Sequence, residues 1–315
     1  GRTSLDADTT GSNNVAVGSN CLSSNTTGAD NTAIGRSALA VSTTASNNTG
    51  VGRSALAANT TGTNNVAVGY GALDANTTAS DNIAIGYNSL GVNTTGTLNI
   101  GIGSFTGDAI TTGNQNIAIG YRSLSLNQTG GENIAIGIDS QKVSTASNNT
   151  SVGYDTLKAN TTGANNTALG STSLDANTEG NNNVAIGQSA LSSNTTASSN
   201  VAVGQGALND NTTGSNNTAI GRIALGENTT ASNNTAVGNN ALNANTTGTQ
   251  NVAIGTYALD ANTTANNNTA VGYFSLSANE TGANNVAVGM RALNNSTASN
   301  NTGVGGLALE NTTTS

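Results

Sequence analysis

The chain of 315 residues contains no proline, no histidine and no tryptophan, and it has one cysteine, one methionine and eight aromatic residues. Without histidine and with a single cysteine, it lacks the side chains that most often bind metals or transfer protons in catalysis. The scarcity of large apolar residues also excludes a conventional core of Phe, Leu and Met. We therefore expect no enzyme, no metal site and no cofactor.

Charge is scarce as well. Charged residues make up 8% of the chain, against about 25% in ordinary soluble domains. The net charge of -8 offers no basic surface for a nucleic-acid backbone, so we expect no nucleic-acid partner. No run approaches the roughly 18 consecutive apolar residues of a membrane helix, so we expect no membrane insertion. Disorder is disfavoured too, because proline is absent while Val, Ile and Thr are abundant.

The chain instead repeats one motif along its whole length. Residues 65–69 read Asn-Val-Ala-Val-Gly, and residues 82–86 read Asn-Ile-Ala-Ile-Gly. The last residue, here called the motif glycine, recurs every 17 residues with two steps of 16. A fixed period of this kind indicates a repeat architecture, in which each unit is stable only when stacked on its neighbours. The motif glycines are Gly18, Gly35, Gly52, Gly69, Gly86, Gly103, Gly120, Gly137, Gly153, Gly170, Gly187, Gly204, Gly221, Gly238, Gly255, Gly272, Gly289 and Gly305.

Each position of the repeat shows one kind of environment. The residue four before the motif glycine is Asn in all eighteen copies. The next three are Val, Ile or Thr, then Ala, Gly or Ser, then Val, Ile or Leu, which is the alternation of a strand. The residue four after the motif glycine is Leu except at Gly107 and Gln141, and a turn such as Asn59 to Gly62 follows.

These columns predict an all-β fold: a parallel β-solenoid, either a β-roll or a β-helix, of about 18 coils with a 17-residue repeat. We expect one array over residues 1–315, and coils about 4.8 Å apart would make a rod roughly 85 Å long. Each coil would bury about one Leu, one Val or Ile and one half-buried β-branched residue. Because Gly1 and Ser315 both fall inside a coil, we expect the array to be an excerpt of a longer fibre.

In parallel register, identical residues lie above one another. The asparagine column is expected to form an amide ladder, and the glycine column to need positive φ or close backbone approach. Proline would interrupt such ladders, which agrees with its absence. The ladder residues at the centre of the first half are Asn65, Asn82, Asn99 and Asn116, with Gly69, Gly86, Gly103 and Gly120.

Several motifs have a simple structural interpretation. The glycine-rich segment 101–107 resembles a phosphate loop, but no Lys follows it, and we expect Phe105 or Ile110 to replace its missing Leu. Cys21 occupies the column of Ala38 and is expected to be a buried substitute for alanine. Six carboxylates lie five residues after a motif glycine, where we expect a solvated acidic stripe: Asp6, Asp74, Asp108, Asp175, Asp260 and Glu310.

The Asn-Thr-Thr segments, such as residues 25–27, match the acceptor pattern for N-glycosylation. Turn chemistry is the simpler interpretation, because Asn tolerates left-handed backbone and Thr suits an exposed ladder. Glycosylation stays open as the alternative.

Chemical variety is confined to the two columns directly after the motif glycine. All eight aromatic residues and all six arginines lie there. Tyr and Arg are enriched in binding hot spots, so these columns are a candidate recognition ridge; tolerance of any residue at an exposed corner is the alternative, and a subunit contact is a third. The candidate ridge contains Tyr70, Tyr87, Phe105, Tyr121, Arg122, Tyr154, Tyr257, Tyr273, Phe274 and Arg291.

The Asn-Val-Ala-Ile-Gly core, followed by a small and an apolar residue, resembles the head repeats of trimeric autotransporter adhesins, and similar repeats occur in phage tail fibres. The resemblance covers essentially the whole chain, although adhesin repeats are typically shorter than 17 residues. It implies a left-handed β-roll and a homotrimer. It also implies that the Ala, Gly or Ser column allows close approach between subunits.

We therefore expect a non-catalytic structural or adhesive fibre segment on a cell or virion surface, which binds through its own ridge or holds a binding tip away from its anchor. Its partners would be the other chains of a trimer or filament, and a host-surface protein or glycan. A self-assembling extracellular filament is the first alternative. Ice binding is the second, although no uninterrupted Thr-x-Thr array is present.

Overall fold

The computed structural model describes residues 1–311, which form two compact units, Gly1–Asp155 and the part of the chain from Thr156 onward. Within these residues every regular element is a three-residue strand and none is a helix. The predicted all-β solenoid with its 17-residue repeat is thereby confirmed. One continuous array over residues 1–315 stays a prediction, and Ser315 lies outside the described residues.

The strands occupy the three positions before each motif glycine and pair in parallel. Ile83 lies opposite Val66, and Ile85 opposite Val68, so each residue pairs with its counterpart one repeat away. The first unit contains β1 Val15–Val17, β2 Thr32–Ile34, β3 Thr49–Val51, β4 Val66–Val68, β5 Ile83–Ile85, β6 Ile100–Ile102, β7 Ile117–Ile119, β8 Ile134–Ile136 and β9 Thr150–Val152. The second contains β10 Thr167–Leu169, β11 Val184–Ile186, β12 Val201–Val203, β13 Thr218–Ile220, β14 Thr235–Val237, β15 Val252–Ile254, β16 Thr269–Val271, β17 Val286–Val288 and β18 Thr302–Val304.

Coil-to-coil hydrogen bonds continue beyond the strands. The N–H of Leu56 donates to the carbonyl of Ala72 at 3.0 Å, and the N–H of Thr60 donates to the carbonyl of Thr77 at 2.8 Å. Side chains extend the pattern, because the Thr60 hydroxyl donates to the same Thr77 carbonyl at 2.9 Å. Backbone groups in the turns therefore find partners in the next coil, as buried peptide groups require.

The predicted asparagine ladder is present, and its geometry is specific. The Oδ1 atom of Asn65 accepts a hydrogen bond from the backbone N–H of Asn82 at 3.0 Å. The Nδ2 atom of Asn82 donates to the carbonyl of Gly96 at 2.9 Å. Asn99 repeats the pattern by donating its backbone N–H to Asn82 at 2.9 Å. Each side-chain amide thus links the residue before the next strand to the carbonyl group of a turn. Both its oxygen and its nitrogen are hydrogen-bonded within the coil stack.

A second asparagine ladder lies in the Asn-Thr-Thr turns. Asn76 is fully buried; its Nδ2 atom donates to the side chain of Asn59 at 2.9 Å and to the carbonyl of Ala79 at 3.0 Å. The turn interpretation is therefore confirmed, with an addition that the sequence pattern did not suggest. A glycan on Nδ2 would occupy the space of these contacts, so glycosylation at Asn76 is incompatible with the folded coil.

The glycine column adopts the predicted positive φ, with values from 124° at Gly120 to 146° at Gly153. A Cβ atom at Gly238 would lie 2.6 Å from the carbonyl carbon of Gly255 in the next coil. Positive φ and close approach of the next backbone therefore both require glycine in this column. Other residues also adopt left-handed φ, including the buried Leu208 at 51°, a conformation that costs roughly 1–2 kcal/mol and is offset by burial of the leucine.

The core is narrower than expected. Leu73 and Ala67 are fully buried, whereas Val68 is 36% exposed. The predicted Leu column is confirmed, but burial of one Val or Ile per coil is wrong, because the middle residue of each strand faces inward and its two neighbours face outward. The predicted subunit approach at the Ala, Gly or Ser column is wrong for the same reason: these residues lie inside their own unit. A Cβ atom at Gly101 would lie 2.9 Å from Leu90, which shows how little space remains.

Two coils in the first unit depart from the pattern. Ile110 is fully buried, and a Cβ atom at Gly107 would lie 3.0 Å from it, so Ile110 fills the missing Leu position as one of the two predicted alternatives. Cys21, in another coil, is fully buried as expected.

The second irregular coil contains Gln141, which is also fully buried; its Nε2 atom donates to the carbonyl of Ile134 at 3.0 Å and to Ser151 at 2.9 Å. Its Oε1 atom is buried and accepts no hydrogen bond from residues 1–311.

We expect Gly238→Ala to lower the free energy of unfolding by about 3 kcal/mol or more, because the new Cβ meets backbone atoms and φ is left-handed. Urea denaturation followed by circular dichroism measures the change. Gly306→Ala is the control: a Cβ there has no atom within 4 Å, and its effect should stay within about 0.5 kcal/mol. Equal effects of the two substitutions would contradict the close-approach argument.

The double substitution Gln141→Leu with Ser151→Ala restores the residues found in most coils. We expect it to stabilise the surrounding coil by about 1–2 kcal/mol, since a buried amide with an unused acceptor is replaced by apolar contact. Hydrogen exchange of the amides between residues 134 and 152 measures this local gain. Gln128→Leu, at an exposed position, is the matched control and should change nothing there. Faster exchange in the double variant would contradict the prediction.

Candidate binding edge

The variable columns project from the corner that follows each strand. The motif glycine turns the chain, and the residue two positions later has left-handed φ, as at Phe105 with 55° and Tyr257 with 56°. Both side chains after the glycine then point away from the core. Tyr70 and Tyr121, one residue after their motif glycines, are 45% and 46% exposed. We call this corner the variable edge.

In the first unit, the parallel register brings four rings into one aromatic ladder: Tyr70, Tyr87, Phe105 and Tyr121. Tyr70 and Tyr87 are stacked, with ring centroids 5.3 Å apart and planes 10° from parallel. Tyr87 meets Phe105 edge-on at 5.1 Å, and Phe105 meets Tyr121 at 6.3 Å. Both geometries are favourable for aromatic pairs and add about 0.5–1.5 kcal/mol per pair to simple burial.

The second unit carries a smaller group of three rings. Tyr257 and Phe274 are stacked at 4.9 Å, and Tyr273 meets Phe274 edge-on at 4.5 Å. Tyr154, in the first unit, is 54% exposed and has no ring contact among residues 1–311. The structure therefore unites most of the predicted aromatic residues into two groups and leaves Tyr154 by itself.

Arginines flank these rings. The guanidinium of Arg53 lies 5.5 Å from the centroid of Tyr70, and that of Arg122 lies 5.8 Å from Tyr121, so cations cover both ends of the aromatic ladder. Arg122 also lies 3.5 Å from the carboxylate of Asp139. In the second unit, the exposed Arg291 pairs with Glu310 at 3.7 Å. Such exposed pairs contribute little to stability, about 0–1 kcal/mol.

Beside the aromatic ladder runs the aromatic groove, which we define by Asp74, Asn88, Phe105, Asp108, Tyr121 and Lys142. It consists of two hollows of about 260 and 310 Å³ that share Phe105 and Asp108. Gly71 and Gly91 line the smaller of the two hollows, where they provide no side chain to fill the space. No single column of the repeat indicates this groove, because the groove combines columns that are three residues apart.

A hollow of about 450 Å³ occupies the same edge of the second unit. Its lining is mainly amide and charged, including Gln188, Gln205, Asn209 and Arg222, with no aromatic residue. Gly206 and Gly226 leave the space open, as glycines do in the first unit. Grooves on the variable edge thus arise wherever small residues interrupt the larger ones.

The carboxylates of this edge are less solvated than the predicted acidic stripe implies. Burial raises the pKa of Asp74 above its ordinary value. Burial also raises the pKa of Asp108, against the lowering effects of its own backbone N–H and of Arg122. For Asp260, next to the second ring group in sequence, burial raises the pKa to about 6 despite a backbone hydrogen bond. The expectation of a solvated stripe is therefore wrong at Asp108 and Asp260, which are half-buried, whereas Asp74 is exposed.

A different face of each unit is formed by the outward residues of the strands. Ile34, Ile85 and Ile102 are between 37% and 39% exposed in the first unit, and Ile220 and Ile254 are both 41% exposed in the second. Each unit has nine strands, so its outward residues, mainly Val, Ile and Thr, form a face that is on the order of 400 Å². This is comparable to the largest apolar patch of a typical monomer.

Threonine columns were the basis for the ice-binding alternative. Thr60 and Thr77 are half-buried, and their hydroxyls donate to the carbonyls of Thr77 and Thr94 in the next coil at 2.9 and 3.2 Å. Thr61 is exposed. In such a turn the hydroxyl of the first threonine is therefore used within the coil stack, and the second threonine is the one exposed to solvent.

Among residues 1–311, no three His, Cys, Asp or Glu side chains cluster closely enough to hold a metal ion. The same residues include no helix with the length and apolar character needed to span a bilayer. Searches against family models, curated proteins and solved structures returned no match to this chain. Function must therefore be inferred from the residues of this chain.

The raised pKa of Asp260 makes stability depend on pH. The folded state keeps its proton up to about pH 6, whereas the unfolded chain loses it near 3.8, so the free energy of unfolding falls as pH rises between these values. In the parent protein we expect the free energy of unfolding to decrease by about 1 kcal/mol over this pH range, after allowance for the partial exposure of Asp260. Asp260→Asn should abolish that decrease. Urea denaturation at pH 4 and pH 7 measures the difference from the parent protein.

A reciprocal substitution provides the control. Asn243 occupies the same column one coil earlier and is also half-buried. Asn243→Asp should introduce a new fall in stability over the same pH range. If neither variant differs from the parent in its pH dependence, the ionisation of this column does not affect folding.

Proposed function

We propose that the chain is a non-catalytic, structural and adhesive fibre segment on a cell or virion surface. The main support for this proposal is that the two kinds of position in each coil are separate. The buried columns make contacts between coils, and the chemically varied residues are confined to one exposed edge. Asn82, Leu73 and Gly69 are fixed by ladders and packing, whereas Tyr70 and its counterparts are free to vary. A rigid support with a variable contact surface suits adhesion.

Several copies of the chain form the fibre. The apolar strand face is exposed in a single chain, and contact with the same face on another copy would remove its Val and Ile side chains from water. A standard interface buries about 800 Å² on each partner, which is about twice the area of the strand face of one unit. The resemblance to adhesin heads supports a left-handed coil and a trimer, with Val and Ile rather than the Ala column at the subunit contact.

The oligomeric state tests this proposal. Light scattering on the full chain should give the mass of three chains of 30.7 kDa each. Ile220→Asp combined with Ile254→Asp places charges on the apolar face and should yield monomers, while circular dichroism stays unchanged because both residues face outward. Asn216→Asp, at an exposed position outside the strands, should leave the trimer intact.

A monomeric parent protein would contradict the multi-chain fibre. Electron micrographs of the same sample separate the fibre segment from the alternative of a self-assembling filament. Discrete particles of fixed length support the segment, whereas elongation that increases with concentration supports the filament.

A further inference from the structure

The aromatic groove of the first unit combines two kinds of surface that rarely occur together in this chain. Phe105 lies in the middle, within the aromatic ladder, and Asp108 lies three residues later on the same groove. Both hollows include these two residues. An apolar ring face therefore stands beside a hydrogen-bond acceptor at the centre of the groove.

Three backbone N–H groups that line the groove are already paired with neighbouring coils. The N–H groups of Gly71, Asn88 and Phe105 donate to carbonyls one coil away, at 3.1, 2.9 and 2.9 Å. A peptide could not pair with these three N–H groups, because strand addition requires unpaired backbone donors and acceptors. The side chains that line the groove instead favour a ligand with flat apolar faces and hydroxyl or amide donors.

The charges of the groove also narrow the ligand. Asp74 and Asp108 lie on the groove walls, and both carboxyls lose part of their solvation there. Lys142 lies at the other end, but it is 3.8 Å from Asp139, which also pairs with Arg122. With Asp74 and Asp108 included, the carboxylates outnumber the cations at the groove by three to two, which disfavours a polyanionic ligand.

We propose that the aromatic groove binds a linear, uncharged glycan, with sugar rings against Phe105 and Tyr121 and sugar hydroxyls donating to Asp74, Asn88 and Asp108. A pyranose ring has an apolar face edged by hydroxyl donors, which matches a ring face next to acceptors. The register places one aromatic ring in each coil along the groove and a carboxylate, Asp74 or Asp108, in every second coil, so a chain of sugars gains several contacts at once. This ligand class deepens the adhesive role and rests on the proposed function.

Isothermal titration calorimetry of the full chain with cello-oligosaccharides and chito-oligosaccharides of four to six units tests the inference. We expect micromolar to millimolar binding that strengthens with chain length. Phe105→Ala and Asp108→Asn should each weaken it at least about tenfold, and Phe105→Tyr should retain it. Ile138→Ala is the control, since Ile138 is exposed in the column of Tyr121 but does not line the groove.

The outcomes separate the two proposals. Absence of binding by both oligosaccharide series, in a sample that is trimeric and adheres to surfaces, overturns the glycan groove and leaves the fibre intact. Tighter binding of sulfated oligosaccharides than of uncharged ones also overturns the inference, as does binding that Phe105→Ala leaves unchanged. A monomeric sample that binds glycans through Phe105 sustains the groove and contradicts the fibre.

Discussion

The structure depends on hydrogen bonding between each coil and an almost identical copy of itself. The chain contains too few large apolar residues for a thick core, so peptide groups and asparagine amides must be satisfied by the neighbouring coils. This requirement explains the constant columns. Gly238 leaves room for the next backbone, Asn82 joins strand to turn, and Leu73 fills the narrow interior. A substitution in any of these columns meets two neighbours as well as its own coil.

Positions that do not take part in the ladders are free to vary, and the register gives that freedom a spatial order. Tyr70 and Tyr87 stack because one strand spacing matches the separation of stacked rings. Where Gly71 and Gly91 follow larger residues, the same edge opens into a groove. Binding chemistry can therefore change from coil to coil without disturbing the fold, since the edge contributes little to the core. The strand face, by contrast, keeps nearly the same composition of Val, Ile and Thr along each unit.

Much of this was predictable from the repeat. The strand positions, the glycine and asparagine ladders, the buried Leu column and the burial of Cys21 follow from column composition, and Ile110 fills the Leu gap as one of two predicted residues. The inward face of the strand was predicted wrongly, because alternation fixes that neighbours face opposite ways without saying which face is inside. Apolar character favoured Val and Ile, but the interior has room only for Ala beside Leu. The second asparagine ladder was missed because turn residues usually face solvent.

The sequence by itself determined the period, the parallel register and the confinement of aromatic residues to one edge, since each follows from identical residues recurring at one spacing. The tertiary structure alone decided which strand face is buried, which carboxylates lose solvent and where a groove opens. These properties depend on the width of the coil and on the side chains that meet across repeats. Asp108 and Phe105 illustrate the difference: each has an ordinary place in its own column, and only the folded edge makes them the centre of one groove.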